Sequence, residues 1–189
     1  QRAEGAIDTK RIESELKDKL KTEKGFTFHE RGDAAKAESN AARVIEAQYK
    51  APYLAHATME PMVCTAWLQG DSLEVWTSTQ NPEATLAVSA ATAGVAQDKV
   101  KVHPMQLGGG LGRKSSQDFT RQGVMIAKAM AGKPVKMIWS REEDTRQDFY
   151  RPADTSRFSA GLDGKGSPVS WNNAFTQLNG PDGSWDVAH

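Results

Sequence analysis

Glycine fills four of the five positions 108–112 in the run Gln106-Leu107-Gly108-Gly109-Gly110-Leu111-Gly112-Arg113-Lys114. Few backbone paths suit such a run, and folding would not concentrate the entropy cost of so many glycines in an ordinary connector. Val100 and Val102 alternate ahead of Pro104, and an amphipathic stretch opens near Ser116. The run is therefore a loop between a strand and a helix. Free N–H groups there suit an anion or an electron-rich oxygen. A tight turn with surplus glycine is the bland alternative, and the density of glycine favours a site. Two phosphate-binding patterns come close. In G-x-x-x-x-G-K-[ST], Gly108, Lys114 and Ser115 fit, but the second glycine is Arg113; the pattern G-x-G-x-x-G fails at the same residue.

The 189 residues suffice for one large domain or two small ones. Basic and acidic residues balance at 24 each, so no global field favours nucleic acid or an anionic membrane. No apolar run approaches a transmembrane span, and no export signal is present in the chain. The start at Gln1 and the end at His189 suggest a piece of a longer polypeptide. A single cysteine, Cys64, leaves no iron–sulfur or cysteine-rich zinc site within the chain.

Along the chain, Ile12, Leu16 and Leu20 mark a solvated helix over 8–21 that Gly25 ends. Asp33 can cap a second helix over 34–43, followed by a strand at 44–49. In His56-Ala57-Thr58-Met59-Glu60-Pro61, a metal site with Cys64 is opposed by Pro61, which breaks the aligning helix, so buried polar anchors are the better reading. Residues 64–69 and 73–78 form a hairpin about Gly70-Asp71, with a type II′ turn and with Trp67 and Trp76 as packing residues. Asn81 and Pro82 start a helix that stops at Gly94. Gln80 thus sits between a strand end and a helix start, either as a turn residue or as a ligand contact. A helix over 116–131 places Phe119, Gly123, Ile126, Ala127 and Met130 on one face, before a strand at 135–140. Arg141-Glu142-Glu143-Asp144 reads as a solvated charged turn. Residues 156–162 and 168–176 form a hairpin, and the chain beyond Asn179 is turn-rich. The expected fold is α+β: a mixed, two-layer sheet with helices packed on it and the glycine loop between strand and helix. The expected division is a helical segment 1–43 and one domain 44–189.

Three ordered tracts, Leu73-Glu74-Val75-Trp76-Thr77-Ser78-Thr79-Gln80-Asn81-Pro82, Gly108–Lys114 and Val135-Lys136-Met137-Ile138-Trp139-Ser140-Arg141-Glu142-Glu143-Asp144, resemble the molybdenum-binding large subunit of the xanthine dehydrogenase/aldehyde oxidase family. The tract at 56–61 is most similar to the isoquinoline 1-oxidoreductase β-subunit branch. The resemblance covers residues 44–176. It implies that Gln80 hydrogen-bonds the molybdenum oxo group and that Gly109, Gly110, Leu111 and Gly112 lie against molybdopterin, with no metal ligand from this chain. It further implies oxidation of an aldehyde or N-heteroaromatic with water as oxygen source, a cytosine dinucleotide form of the cofactor, and [2Fe–2S] clusters on a small partner subunit. The general base and later cofactor contacts would lie in the remainder of the large subunit, leaving this chain alone inactive. A periplasmic location is implied for the branch, a cytoplasmic one otherwise. Leu111 and Arg113 depart from the family's usual phenylalanine and glycine. Ser115 replaces the glutamate that orients purines. A phosphate- or nucleotide-binding α/β module and a non-catalytic interaction domain are the competing readings.

Overall fold

The computed structural model describes residues 8–22, 25–179 and 184–188. The chain divides into two compact units, one of residues 1–54 with 151–189 and one of residues 55–150. The break thus falls at 54/55 and 150/151 rather than at 43/44.

In the first unit, helix α1 (Thr9–Thr22) buries Leu16 and Leu20, two of the three stripe residues expected. Helix α2 (Ala34–Ser39) is shorter than expected. Asp33 caps it by accepting from the Lys36 N–H at 2.9 Å, but Arg43 already belongs to strand β1 (Arg43–Ala51). Strands β6 (Asp154–Leu162), β7 (Pro168–Asn179) and β8 (Ser184–Ala188) complete an antiparallel sheet in the order β1-β6-β7-β8. The turn-rich ending therefore contains a strand, recruited by pairing with β7; residues 180–183 and 189 lie outside the described part. Asp163 closes the β6–β7 turn by accepting from the N–H groups of Lys165 (2.8 Å) and Ser167 (2.9 Å). Both helices lie on one face of this sheet. The Thr176 hydroxyl donates to Leu16 O at 3.2 Å, and the Ser159 hydroxyl donates to Glu38 at 2.7 Å. Helices α1 and α2 are thus joined to strands β7 and β6, a pairing too distant in sequence for a local pattern to reveal.

The second unit holds the glycine loop. Strands β2 (Val63–Gln69), β3 (Ser72–Thr77), β4 (Val100–Pro104) and β5 (Val135–Ile138) form a mixed sheet in the order β4-β3-β2-β5. The β2–β3 hairpin turns through Gly70 at φ +59°, with no positive φ at Asp71, as a type II′ turn requires. Helix α3 (Pro82–Ala93) is bounded as expected. The Asn81 side chain accepts from the Ala84 N–H, and Gly94 ends the helix at φ +80°. Because β3 and β4 are parallel, α3 is the crossover between them. Helix α4 (Asp118–Ala129) packs on β2, and the core joins Met62, Cys64, Ala66, Leu73 and Val75 to Phe119, Val124 and Ala127. The buried face of α4 is Phe119, Thr120, Gly123, Val124 and Ala127. Ile126 and Met130, expected on that face, are 41% and 47% exposed. The rows 119-123-127 and 120-124 meet the sheet, so the true stripe is rotated by about one residue. Among the described residues no helix is long and apolar enough to cross a membrane.

Gly123 allows α4 to approach β2. A Cβ there would lie 2.8 Å from Cys64 Sγ and 3.0 Å from Cys64 Cβ. Gly123→Ala should therefore lower the denaturant midpoint of this unit. The helix-propensity gain of ~1 kcal/mol is outweighed by overpacking of about 1–3 kcal/mol, because the clashing sulfur is buried on a central strand. A raised midpoint would contradict this packing.

Candidate functional site

Parallel pairing brings the ends of β3 and β4 to one edge of the sheet, with Thr77 opposite Pro104. From β3 the chain runs into Ser78-Thr79-Gln80, and from β4 into the glycine loop. The two predicted parts of the site thus meet. Gln80 N–H donates to Lys114 O at 3.0 Å. Its side-chain oxygen accepts from the Gly112 N–H at 3.0 Å and from the Lys114 N–H at 3.2 Å. Two backbone donors on one amide end require that end to be the oxygen. The Gln80 NH2 group is left as a donor with no partner among the described residues, on a residue exposed to solvent.

The loop is strained and clamped. Gly109 (φ +96°) and Gly112 (φ +101°) adopt backbone that glycine favours, and Leu111 lies at φ +53°. A left-handed leucine costs roughly 1–2 kcal/mol, and this one leaves its side chain outside, 75% exposed. Two other glycines are explained differently from the sequence expectation. A Cβ on Gly108 would come within 2.5 Å of Glu60 Cβ, and one on Gly110 within 2.4 Å of Gln80 Oε1. The space these glycines leave is taken by the protein's own Glu60 and Gln80. Close approach of a ligand is therefore left to the main-chain N–H groups of Gly109, Gly110 and Leu111, which have no acceptor among the described residues.

Glu60 lies beneath the loop. Its Oε2 accepts from Gly108 N–H at 3.1 Å, from the Ser78 hydroxyl at 2.7 Å and from Lys114 Nζ, and its own N–H donates to Gly108 O at 2.8 Å. Burial raises the Glu60 carboxyl, but the bonds from Lys114, Ser78 and Gly108 outweigh it and hold the group below the usual glutamate range. Glu60 is thus a polar anchor, though half-buried rather than buried as expected. His56 is another, also half-buried, and its Nδ1 lies 3.0 Å from Asp148 Oδ1. Cys64 is a buried core thiol, pushed up to about 12 by burial.

This arrangement removes the phosphate-loop alternative. In that motif the lysine extends from the loop to the phosphates. Here the Lys114 side chain is fully buried and bound to Glu60 and Ser78. The N–H groups of Gly112, Lys114 and Ser115 are also committed, to Gln80 Oε1 and to Gly112 O.

Arg113, at first a mere departure from two glycine motifs, is the hub below the loop. It is 1% exposed and forks onto Asp118 through two hydrogen bonds of 2.8 and 2.7 Å. Its Nε lies 3.0 Å from Asp148 Oδ1, outside hydrogen-bond alignment, and its guanidinium packs over the rings of Phe149 and Trp139. Burial opposes the charge, but Asp118 first, then Asp148 and Asp144, raise the Arg113 value further. The expected charged turn at 141–144 is instead helix α5 (Arg141–Arg146), capped by the Ser140 hydroxyl. Asp144 is 2% exposed; burial raises its carboxyl, against Arg141 and with Asp148. Solvation holds for Glu142, which is exposed, and fails at Asp144 because Arg141 folds back on Asp144 (2.6 Å) and on the carbonyls of Thr58 and Met59. No periodic or capping pattern signals Glu60, Arg113 or Asp148 as site residues; only the positions of Glu60 in the 56–61 tract and of Arg113 in the 108–114 tract could have.

A family model described as the molybdopterin cofactor-binding domain matches residues 16–187. The chain is similar to the isoquinoline 1-oxidoreductase subunit beta of Brevundimonas diminuta, with 36% identity over 107 residues, 56% of this chain and 14% of that one. It is also similar to the aldehyde oxidoreductase molybdenum-binding subunit of Escherichia coli O157:H7, with 30% identity covering 83% of this chain and 21% of the relative. Among solved structures, the aldehyde oxidoreductase from Desulfovibrio gigas aligns with a TM-score of 0.64 at 17% identity, over 76% of this chain and 16% of that one. The chain thus spans about a seventh to a fifth of the length of the two curated relatives.

Proposed function

The chain belongs to the molybdopterin cofactor-binding domain family of molybdenum-dependent oxidoreductases, and on that premise we propose that its full-length protein oxidises an aldehyde or an N-heteroaromatic with water as oxygen source. The observation that carries this reading is the orientation of Gln80. Its oxygen is occupied by two backbone N–H groups, so its NH2 is left as a donor, next to a loop whose N–H groups at 109–111 have no acceptor among the described residues. A set of preorganised donors on a strained loop suits an electron-rich group such as the oxygen-rich end of molybdopterin. The residues present therefore fit the cofactor. Gln80 donates through its side chain. Gly109, Gly110 and Leu111 donate through the main chain. Gly112, whose N–H is spent on Gln80, contributes its left-handed turn.

The cofactor supplies the two-electron redox chemistry, while these residues bind and orient it. The remainder of the large subunit would supply the general base and the other cofactor contacts. A small iron–sulfur subunit would carry [2Fe–2S] clusters to take the electrons, and the cytosine dinucleotide form of the cofactor follows from the resemblance. Two relatives are themselves named as subunits, which supports a multi-subunit enzyme. Ser115 in place of a glutamate disfavours purines as substrates.

The test is to purify the full-length protein with its small subunit and measure molybdenum and the nucleotide released by acid. Dye reduction is then followed with an aromatic aldehyde and with an N-heterocycle. Stoichiometric molybdenum, released CMP and turnover of one class are expected. A correctly folded protein without molybdenum would defeat the reading.

A further inference from the structure

Glu60 does not bond to Gln80, yet both ends of the loop that orients Gln80 are tied to its carboxylate. At the first end, Gly108 is gripped in both directions: its N–H donates to Glu60 Oε2 and its carbonyl accepts from Glu60 N–H. At the second end, Lys114 Nζ reaches the same Oε2, while Lys114 N–H holds Gln80 Oε1. Ser78, two residues before Gln80, closes the cluster by donating to Glu60 and accepting from Lys114 Nζ at 3.1 Å. The tract carrying Glu60 is itself held. The Thr58 hydroxyl donates to Glu60 O at 2.7 Å, and Arg141 binds the carbonyls of Thr58 and Met59.

We propose that Glu60 is the positioning residue of the site: by clamping Gly108 and Lys114 it sets the loop against Gln80 and so fixes the direction of the Gln80 amide. This rests on the cofactor-facing role assigned to Gln80 above. The geometry distinguishes it from a simple counter-charge. A counter-charge for the buried Lys114 ammonium is required wherever that lysine sits. It would not require the two-way grip on Gly108, nor the close stacking that leaves no room for a Cβ there.

The test uses the full-length enzyme with its small subunit, as wild type, Glu60→Ala, Gln80→Ala and the double variant. Because Glu60 acts through Gln80, Glu60→Ala should lower kcat by ~10–100-fold, as loss of a supporting contact does, with KM within about twofold. It should slow the Gln80→Ala enzyme further by less than about twofold, since two changes on one path do not add. In the cofactor-free protein, amide hydrogen exchange at Gly108, Gly112, Arg113 and Lys114, the loop amides that have acceptors, should speed by about tenfold or more, while exchange in the core of α4 stays unchanged. If Glu60→Ala does not accumulate as folded protein, Glu60→Ala with Lys114→Met leaves no unpaired buried ammonium and keeps the backbone N–H of residue 114. It enters the same cycle under the same criteria. Wild-type kinetics for the Glu60 variant, multiplicative losses in the double variant, or unchanged exchange at those loop amides would each overturn the proposal. Wild-type enzyme without molybdenum would instead sink the functional reading, and the role of Glu60 with it.

Discussion

Gln80→Ala in the full-length enzyme is expected to slow turnover by ~10²–10³, the usual effect of removing one preorganised donor from a site where charge develops. The side chain has two duties, however, and alanine removes both. Its oxygen satisfies the N–H groups of Gly112 and Lys114, and its NH2 is left without a partner among the described residues. Gln80→Glu separates them. A carboxylate can still accept from both N–H groups but cannot donate from the position of the NH2 when ionised. It should therefore keep molybdenum content close to wild type while losing rate at least as severely as alanine. Metal content with steady-state kinetics for both variants decides the matter. A Gln80→Glu enzyme with near-wild-type kcat would show that the NH2 donor is not used.

Gly110→Val should act through content rather than rate. The position is buried, and a Cβ there would lie 2.4 Å from Gln80 Oε1 and 2.6 Å from Gln80 Cδ. The contacted atoms are not a free side-chain end, because that oxygen is held by two backbone donors. Either the loop lifts or Gln80 is expelled, and in both cases the donors at 109–111 lose register with the Gln80 amide. Overpacking of this kind costs about 1–3 kcal/mol, so cofactor retention should fall on the order of tenfold or more. Quantifying molybdenum per protein in the purified variant tests this. Full occupancy would mean that the loop can move without consequence for cofactor retention.

Much of this fold was legible where the deciding physics is local. Asn81-Pro82 and Gly94 bounded α3 because a side-chain cap, a preset φ and a left-handed glycine act within a few residues of the helix ends. Gly70-Asp71 determined the β2–β3 hairpin in the same way. The α4 face was displaced by a residue, because Gly123 was correctly placed toward the sheet while Val124, not Ile126, completed the contact. Asp144 was misjudged, since a run of charges looks the same whether solvent or Arg141 satisfies it.

By itself the sequence determined most of the elements, though not α5 or β8, the glycine loop between a strand and a helix, and, through three ordered tracts, the resemblance that singled out Gln80 and residues 109–112. Tertiary structure alone decided what the glycines are for and what holds the loop. Glu60 meets Gly108 across 48 residues, His56 meets Asp148 across 92, and Thr176 meets Leu16 across 160. Backbone propensity and side-chain periodicity act over a turn or a strand, so they carry no record of such pairs. The Glu60–Gly108 pair forms where parallel pairing of β3 with β4 brings two distant chain segments to one edge of a sheet, and the Thr176–Leu16 pair where α1 packs on β7 of the other sheet.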